Sequence, residues 1–310
     1  MSDLKLFRIF GSNVEELTGS AVELERHLQR LIEANMEVFF GVRFLESEYF
    51  TGRKHQGWID SIGIDENGSP VIFEYKRTRG ESVINQGLYY LDWLLDHKAE
   101  FENLVRKRLG TDEVDWVNPR LICIASNFTR YDEHAVAQIN RSIELIRYQT
   151  FNNGELIALE LLTATTNPIK EDEDIVGPAS SSLGRKSRQG VATKTVGQLL
   201  AQAQPSLSNL FQDLDTMLTG MGDDVTKTER KFYFAYRRLK NFACVEVHPQ
   251  SNAILVYTKV DPATVELVDG FTRDVSQIGH FGTGDLEIRI ADSAQLAQAE
   301  PLLAMSYANS

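Results

Sequence analysis

The stretch WIDSIGIDENGSPVIFEYKR, residues 58–77, constrains the fold of this chain more than any other segment. Two short apolar runs flank Glu-Asn-Gly, which is the pattern of two antiparallel strands joined by a tight turn. Side chains alternate between the faces of a strand, so Asp60 shares a face with large apolar residues. In the second run, Glu74 shares a face with Ile72 and Lys76. Two carboxylates and an ammonium group therefore occupy strand positions that normally bury apolar side chains.

The length of the turn decides whether these polar residues meet. A three-residue loop over residues 66–68 puts Gly68 in the left-handed position of a type I turn followed by a bulge. In that register Asp60 lies directly across from Glu74. A two-residue Asn-Gly loop would instead put these two residues on opposite faces. The sequence allows both turns, and only the first gathers Asp60, Glu74 and Lys76 at one point.

The charges of these three residues have a chemical explanation. Two adjacent carboxylates on a partly buried face repel each other and are costly to remove from water. A divalent cation offsets both costs, and carboxylate oxygens suit Mg²⁺, which is commonly shared with substrate phosphates. A neighbouring lysine can hold the attacking water or stabilise charge on a phosphate. The alternative interpretation is a solvated strand edge with ordinary surface charge.

Around this segment the sequence predicts alternating helices and strands as far as residue 162. The predicted order is α-β-β-β-α-β-α-β-β. In chain order, the predicted elements are a helix from the capping box at Ser20 to about Met36, a strand over 38–46, the two strands described above, a helix over 82–109 capped by Gly110, a buried strand over 119–127, a helix over 131–142, and strands over 143–151 and 155–162 joined by Asn-Asn-Gly.

Asp60 followed by Glu74-Tyr75-Lys76 resembles the D…(D/E)xK motif of the PD-(D/E)XK nuclease superfamily. The core of that superfamily is a helix, a three-stranded meander, a crossover helix and a further strand, which is similar to the order predicted for residues 20–127. The motif departs from its name by having Ile59 where the superfamily often has proline.

Three further positions extend the resemblance. The predicted first helix carries Glu25, as nuclease relatives often carry a glutamate there. Gln86 and Tyr90 on the crossover helix resemble the Gln-x-x-x-Tyr of RecB-like members and share one helical face. The resemblance therefore implies an α/β, restriction-endonuclease-like αβββαβ core with a central mixed sheet.

The resemblance also implies a role for each residue. The residues that it makes catalytic are Glu25, Asp60, Glu74, Lys76, Gln86 and Tyr90. Asp60, Glu74 and the carbonyl of Tyr75 would hold the metal, and Glu25 would bind it directly or through water. Lys76 would position the nucleophilic water. Gln86 would orient the metal shell or a substrate phosphate, with Tyr90 supporting it.

The implied activity is hydrolysis of phosphodiester bonds, with Mg²⁺ or Mn²⁺ as cofactor and DNA preferred over RNA. Arg53 and Lys54 precede the first motif strand, and Arg77 and Arg79 follow the second, so these four residues would contact substrate phosphates or form ordinary surface charge. Two alternatives stay open: a catalytically silent module that binds nucleic acid or a ligand, and an RNA-processing nuclease.

Composition limits these choices. The 310 residues carry a net charge of −12, which excludes a uniformly basic nucleic-acid binder and requires a local basic patch or metal ions. The N-terminus has no secretory pattern, and no run approaches the roughly 20 apolar residues of a membrane span. The two cysteines, Cys123 and Cys244, lie in strand-like runs and are expected to be buried thiols. We therefore expect a cytoplasmic protein without a membrane partner.

The second half of the chain differs in character. Residues 163–195 are rich in Pro, Gly, Ser, Thr and charge, and are predicted to form a flexible linker between domains at 1–162 and 196–310. The latter is predicted to be a smaller α+β domain, including a helix over residues 227–241. Its end resembles an uncharacterised bacterial C-terminal domain whose bearers are sometimes labelled predicted transport proteins. This domain is expected to bind a ligand or a protein, and a homodimer is left open.

Limited proteolysis tests the linker. We expect a nonspecific protease to cut first between residues 163 and 195 and to release two folded fragments, because exposed polar segments are cut before packed ones. Mass spectrometry of the fragments gives the position of the cut. Earlier cleavage at another place would show that this segment is packed.

Overall fold

A computed structural model describes residues 4–19, 25–76, 83–111, 113–166 and 194–310. The chain divides into two compact units, residues 1–167 and 168–310. The predicted linker is only partly covered, because residues 167–193 lie outside the described residues. The first two residues of the predicted linker, Thr163 and Ala164, are instead the end of a strand.

The first unit is a mixed α/β structure. Its strands are β1 (Leu6–Phe10), β2 (Asn13–Leu17), β3 (Val42–Phe50), β4 (Trp58–Asp65), β5 (Pro70–Lys76), β6 (Arg120–Ala125), β7 (Ser142–Phe151) and β8 (Leu156–Ala164). Its helices are α1 (Glu25–Ala34), α2 (Met36–Phe40), α3 (Gly52–His55), α4 (Val83–Asp96), α5 (Lys98–Leu109) and α6 (Arg130–Ala137).

Six of these strands form one sheet, in the order β3-β4-β5-β6-β7-β8. The pairs β5–β6 and β6–β7 are parallel, and the other pairs are antiparallel. The meander β3-β4-β5 is followed by the crossover helices α4 and α5 and then by β6, so the predicted α/β class with a central mixed sheet is confirmed. Strands β1 and β2 form a separate antiparallel hairpin, which the sequence analysis did not predict.

Apolar side chains attach the helices to this sheet. The helical stripe of α1 and α2 buries Leu28, Ile32 and Phe40, and the Phe40 ring lies 5.3 Å from that of Phe73 on β5, measured between ring centroids. Helix α4 packs through Gly87 against Leu121 of β6. The site strands β4 and β5 are therefore held by α1 and α2 and by the crossover helix.

The turn between β4 and β5 is the three-residue loop. The N–H of Asp65 donates to Ser69 O and the N–H of Gly68 donates to Asp65 O, both at 2.9 Å. The φ of Gly68 is +79°, which favours glycine. Oδ1 of Asp65 also accepts hydrogen bonds from the N–H groups of Asn67 and Ser69, both at 2.9 Å. Ser61 then pairs with Phe73, and the same register sets Asp60 across from Glu74.

A buried ion cluster fixes this turn to the parallel strands. The guanidinium of Arg120, at the start of β6, donates to both carboxylate oxygens of Glu144 at 2.8 and 3.0 Å and to Oδ2 of Asp65 at 3.0 Å. All three side chains are buried. Burial alone would lower the pKa of Arg120, but the charges of Glu144 and Asp65 outweigh it and raise that pKa.

Three local predictions for the first unit are wrong. The strand predicted over residues 38–46 begins only at Val42, because Met36–Phe40 form a helix that buries Met36 and Phe40 and ends at Gly41 with φ +62°. The helix predicted over 82–109 breaks at His97, whose Nδ1 lies 2.8 Å from Trp93 O and interrupts the backbone ladder. Between β3 and β4, where no helix or strand was predicted, the chain forms the short helix α3.

The second unit is an α+β structure. Its strands are β9 (Thr226–Glu229), β10 (Phe234–Arg237), β11 (Asn241–His248), β12 (Ala253–Thr258), β13 (Thr272–Asp274) and β14 (Leu286–Ile290), and its helices are α7 (Val196–Ala201), α8 (Pro205–Thr219) and α9 (Ser293–Ala308). The strands form one antiparallel sheet in the order β13-β14-β12-β11-β10-β9. The three helices share one apolar cluster with this sheet.

The helix predicted over residues 227–241 is wrong, because most of this segment lies in the hairpin β9–β10. Phe234 and Tyr236 are two positions apart and enter the helix-covered core, whereas Ala235 between them belongs to a cluster with Tyr233 and Cys244. That spacing is the period of a strand. Helix α7 ends at Ala201, and α8 begins at Pro205, which occupies its first turn.

Two other expectations concern the whole chain. Cys123 and Cys244 are buried free thiols, as predicted. Within the described ranges, none of the helices is both long enough and apolar enough to cross a membrane.

The buried ion cluster gives a stability prediction. Arg120→Ala should lower the free energy of unfolding by about 3–5 kcal/mol, because it leaves two buried carboxylates without their cation. The matched control is Arg108→Ala, which removes the cation of a partly exposed pair with Glu46 and should cost at most about 1 kcal/mol. Denaturant unfolding followed by tryptophan fluorescence reports on this unit, because Trp58, Trp93 and Trp116 all lie in it. Equal losses in both variants would contradict the prediction.

Candidate active site

Asp60 and Glu74 are joined across the β4–β5 pair by their own side chains. The N–H of Asp60 donates to Oε1 of Glu74 at 3.3 Å. The N–H of Tyr75 donates to Oδ2 of Asp60 at 2.9 Å. Each carboxylate therefore accepts a hydrogen bond from the backbone of the opposite strand, which brings the two acidic groups together at one point of the sheet.

The backbone is distorted at this point. Ser47 pairs with Ser61 and Tyr49 with Ile59, so Glu48 of β3 stands opposite Asp60. The φ of Glu48 is +48°, a conformation that costs a non-glycine residue free energy and is concentrated at functional sites. In β4, the alternation of side chains between the two faces of the sheet is also broken. Ile59 packs in the same apolar cluster as Ile62 and Ile64, although an odd and an even position of a regular strand face opposite sides.

Glu74 is a strongly perturbed acid. Its side chain is completely buried, and Oε2 has no hydrogen-bond partner among the described residues. Burial raises the pKa of Glu74 well above its usual range, and the charge of Asp60 raises it further, against the opposing effects of the Asp60 N–H and of Lys76. On β6, burial and then the charge of Glu74 raise the pKa of the Cys123 thiol.

Tyr75 and Lys76 are consecutive residues of β5, so their side chains point to opposite faces of the strand. Lys76 ends β5, is partly buried and acts electrostatically on Glu74 two residues before it. The Tyr75 side chain is buried, and its hydroxyl accepts a hydrogen bond from Ser61 Oγ at 3.3 Å. Ser61 Oγ also lies 2.6 Å from Oε1 of Glu33 on α1. Tyr75 takes part in the acid pair through its backbone N–H, and the metal-binding role of its carbonyl stays a prediction.

Gln29 is a site residue that was not predicted from the sequence. Its side chain is buried, and Nε2 donates to the backbone carbonyl of Asp60 at 2.8 Å and to Oε1 of Glu33 at 3.0 Å. Gln29 therefore ties α1 to the strand residue that carries the acid. The sequence could have indicated Gln29, because it lies four residues after Glu25 and so on the same face of the helix. Glu25 itself is the first residue of α1, and its side chain is outside the described part of the chain.

Gln86 and Tyr90 form a second connection to β4. Nε2 of Gln86 donates to the Tyr90 hydroxyl at 3.5 Å, and that hydroxyl accepts a hydrogen bond from the N–H of Trp58 at 3.1 Å. Gly57 permits this approach, because a Cβ there would lie 2.4 Å from the Tyr90 ring. The pair thus fixes the start of β4, two residues before Asp60.

The basic residues divide into two groups. Arg53 and Lys54 are exposed on α3, in the connection between β3 and β4. The hydroxyl of Tyr89 on α4 donates to the carbonyl of His55 at 3.0 Å and holds this connection against the crossover helix. Arg77 and Arg79 lie outside the described residues.

The described acids form a pair and not a larger cluster. Among the residues that the structure describes, no group of three or more His, Cys, Asp or Glu side chains is arranged to hold a metal ion. The potential metal ligands that the described residues bring together here are the carboxylates of Asp60 and Glu74.

Comparison with known proteins adds little about chemistry. Residues 196–310 match the family model described as a domain of unknown function, DUF5655. A protein from Haemophilus influenzae described as uncharacterized is 25% identical over 299 residues, which cover 94% of this chain and 96% of that protein.

Two solved structures align with part of the chain. The crystal structure of a repair endonuclease from Pyrococcus abyssi is 18% identical with a TM-score of 0.29, over 46% of this chain and 64% of that one. The EndoMS–dsDNA2 complex is 21% identical with a TM-score of 0.24, over 41% of this chain and 47% of that one. The alignment therefore spans less than two thirds of either structure, and likenesses at these TM-scores carry no argument about function.

The buried acid gives a prediction that does not depend on activity. The folded-state pKa of Glu74 is raised, so its contribution to stability is present below the unfolded-state pKa of about 4.3 and is lost as the pH rises through the folded value. Without metal, Glu74→Gln should therefore be more stable than the wild type above about pH 4.3, by a margin that grows with pH. Denaturant unfolding in EDTA across this pH range measures the margin.

The control for this prediction is Asp92→Asn, which neutralises an exposed acid on α4. Its stability margin should stay nearly constant over the same range. A constant or shrinking margin for Glu74→Gln would show that Glu74 is ionised in the folded protein at its ordinary pKa.

Proposed function

We propose that the first unit is a metal-dependent nuclease that hydrolyses phosphodiester bonds, with DNA preferred over RNA. The observation that carries this proposal is the acid pair: Asp60 and Glu74 are in contact, and Glu74 is fully buried with no hydrogen-bond partner for Oε2 among the described residues. A protein that only needed a stable sheet would gain by replacing this pair with apolar side chains. The pair is therefore best explained by a cation that binds there.

The donors fit Mg²⁺ or Mn²⁺. Mg²⁺ is usually bound by one or two carboxylates together with waters and substrate phosphates, so a pair of acids is sufficient. Glu74 Oε2 and the Asp60 carboxylate would be the ligands, with the carbonyl of Tyr75 as a third donor and Glu25 as a further one. The bound ion would supply a nucleophilic water at neutral pH and neutralise charge on the phosphate.

The remaining residues of the site act on the substrate and on the water. Lys76 brings an ammonium group next to Glu74, where it orients the attacking water and stabilises charge that develops on the phosphate. Gln86 orients a substrate phosphate, and Tyr90 supports it by fixing the start of β4. Gln29 holds the Asp60 backbone in place and is a positioning residue.

Substrate binding needs a local source of positive charge, because the chain as a whole carries −12. Arg53 and Lys54 supply it on the exposed surface of α3, and Arg77 and Arg79 supply it after β5. These contacts go to phosphates, so they set affinity and its salt dependence without selecting a base sequence.

A second function has one observation in its favour. Arg53 and Lys54 are exposed, which would equally suit a nuclease-like module that binds nucleic acid or a ligand without cutting it. The acid pair favours the catalytic function, because a silent module has no use for a buried carboxylate beside a second acid. An RNA-processing nuclease would use the same site and is separated from the DNA nuclease only by assay.

The test is cleavage of labelled single- and double-stranded DNA and RNA with Mg²⁺, Mn²⁺ or EDTA. The wild type should cut DNA faster than RNA, and EDTA should stop it. Asp60→Ala and Glu74→Ala should each lower turnover on the order of 10³-fold by removing a metal ligand. Lys76→Ala should lower turnover on the order of 10²-fold and keep metal binding.

Affinity and the control variant make this test specific. Nucleic-acid affinity should survive in all three variants, since phosphate contacts provide much of it. Asp92→Ala removes an exposed acid of α4 and should leave turnover unchanged. A wild type that binds nucleic acid and cuts none with either ion would establish the binding module instead.

A further inference from the structure

We propose that Phe50 and Trp58 form a base-stacking platform beside the acid pair, so that the preferred substrate is nucleic acid with unpaired bases. This inference rests on the proposed function for the kind of molecule that is bound. It goes beyond that function by naming the substrate class, a single strand or a frayed end, and the two residues that select it.

The two rings form an exposed aromatic pair at one end of the sheet. Phe50 ends β3, Trp58 begins β4, and the two residues are direct register partners. Their ring centroids are 4.8 Å apart, and 43% of Phe50 and 56% of Trp58 are exposed. Trp58 is two residues from Asp60, which is about 6.6 Å along a strand. A base stacked on this pair would have its phosphate within reach of the acids.

The exposure of Trp58 contrasts with the other tryptophans of the unit. Trp93 is buried in the apolar core, and Trp116 is partly buried and packs on that core. An indole left in water forgoes the largest apolar burial that any side chain offers. A flat π-face exposed next to a phosphodiester-cleaving site has a use, because every nucleobase stacks on such a face.

The platform is held rigidly. The backbone N–H of Thr51 donates to the carbonyl of Gly57 at 3.0 Å, and the N–H of Gly57 donates to Oγ1 of Thr51 at 3.0 Å, which closes the connection between the two rings. The backbone of Trp58 is fixed by the Tyr90 hydroxyl. A rigid surface loses little conformational entropy on binding.

Positive charge lies in the same short connection. Arg53 and Lys54 are exposed between Phe50 and Trp58 in the chain, on a helix whose last turn is basic. Aromatic side chains combined with a basic surface are the pattern by which proteins bind single-stranded nucleic acid, with bases on the rings and phosphates on the cations. A blunt duplex keeps its bases stacked on one another and offers this platform only phosphates.

The experiment measures binding without cleavage. In EDTA, an oligothymidylate should quench the tryptophan fluorescence of the full chain, and a blunt duplex of the same length should quench it less. By anisotropy of labelled oligothymidylate, Trp58→Leu and Phe50→Leu should each weaken affinity by roughly 10-fold, and Trp58→Phe should stay within about 3-fold of the wild type. Tyr131→Leu, which alters an exposed aromatic residue of α6, should change nothing.

The outcomes separate this inference from the proposed function. Wild-type affinity in Trp58→Leu and Phe50→Leu would overturn the platform, even if the protein cuts DNA. Equal affinity for single strand and blunt duplex would overturn it as well. Loss of affinity in the leucine variants but not in Trp58→Phe would establish the platform, even if the wild type cuts nothing with Mg²⁺ or Mn²⁺, which would refute only the nuclease activity.

Discussion

Arg120 is the buried cation on which the rest of the first unit depends. It joins Asp65, at the turn of the β4–β5 hairpin, to Glu144 on β7, and so connects the antiparallel and parallel halves of the sheet. Asp65 in turn caps the turn through two backbone N–H groups. The register that brings Asp60 to Glu74 follows from this turn. The acid pair is therefore positioned by charges at the opposite end of its own strands.

The two buried electrostatic groups of this sheet have opposite characters. At the turn, each carboxylate has its cation, and the cluster is satisfied within the protein. At the acid pair, one oxygen of Glu74 has no hydrogen-bond partner in the part of the chain that the structure describes, and Lys76 only partly offsets the burial of this carboxylate. The first arrangement stabilises the fold and the second does not. A fold that tolerates the second needs the rigidity that the first provides.

The features that could be predicted from the sequence are those that depend on residues close together in the chain. Periodicity located most helices and strands, and Asp60, Glu74 and Lys76 stood out because they interrupted apolar strands. Contacts between residues far apart in the chain could not be predicted. No local pattern shows that Arg120 binds Asp65, or that Gln29 donates to the carbonyl of Asp60. Competing local preferences also misled the prediction, as in the β9–β10 hairpin, where basic residues between aromatics are typical of a helix as well as of a strand.

The three-residue turn has a consequence for how such a site can be lost or preserved in evolution. Because strand faces alternate, removing one residue from the turn would turn Asp60 away from Glu74 without altering any residue of the acid pair. Deletion of a single residue within 66–68 would thus damage the acid pair as much as the loss of one of its carboxylates. Substitutions within the turn that keep its length and Gly68 would leave the site intact. Loop length, and not only residue identity, is part of what a homologue must share.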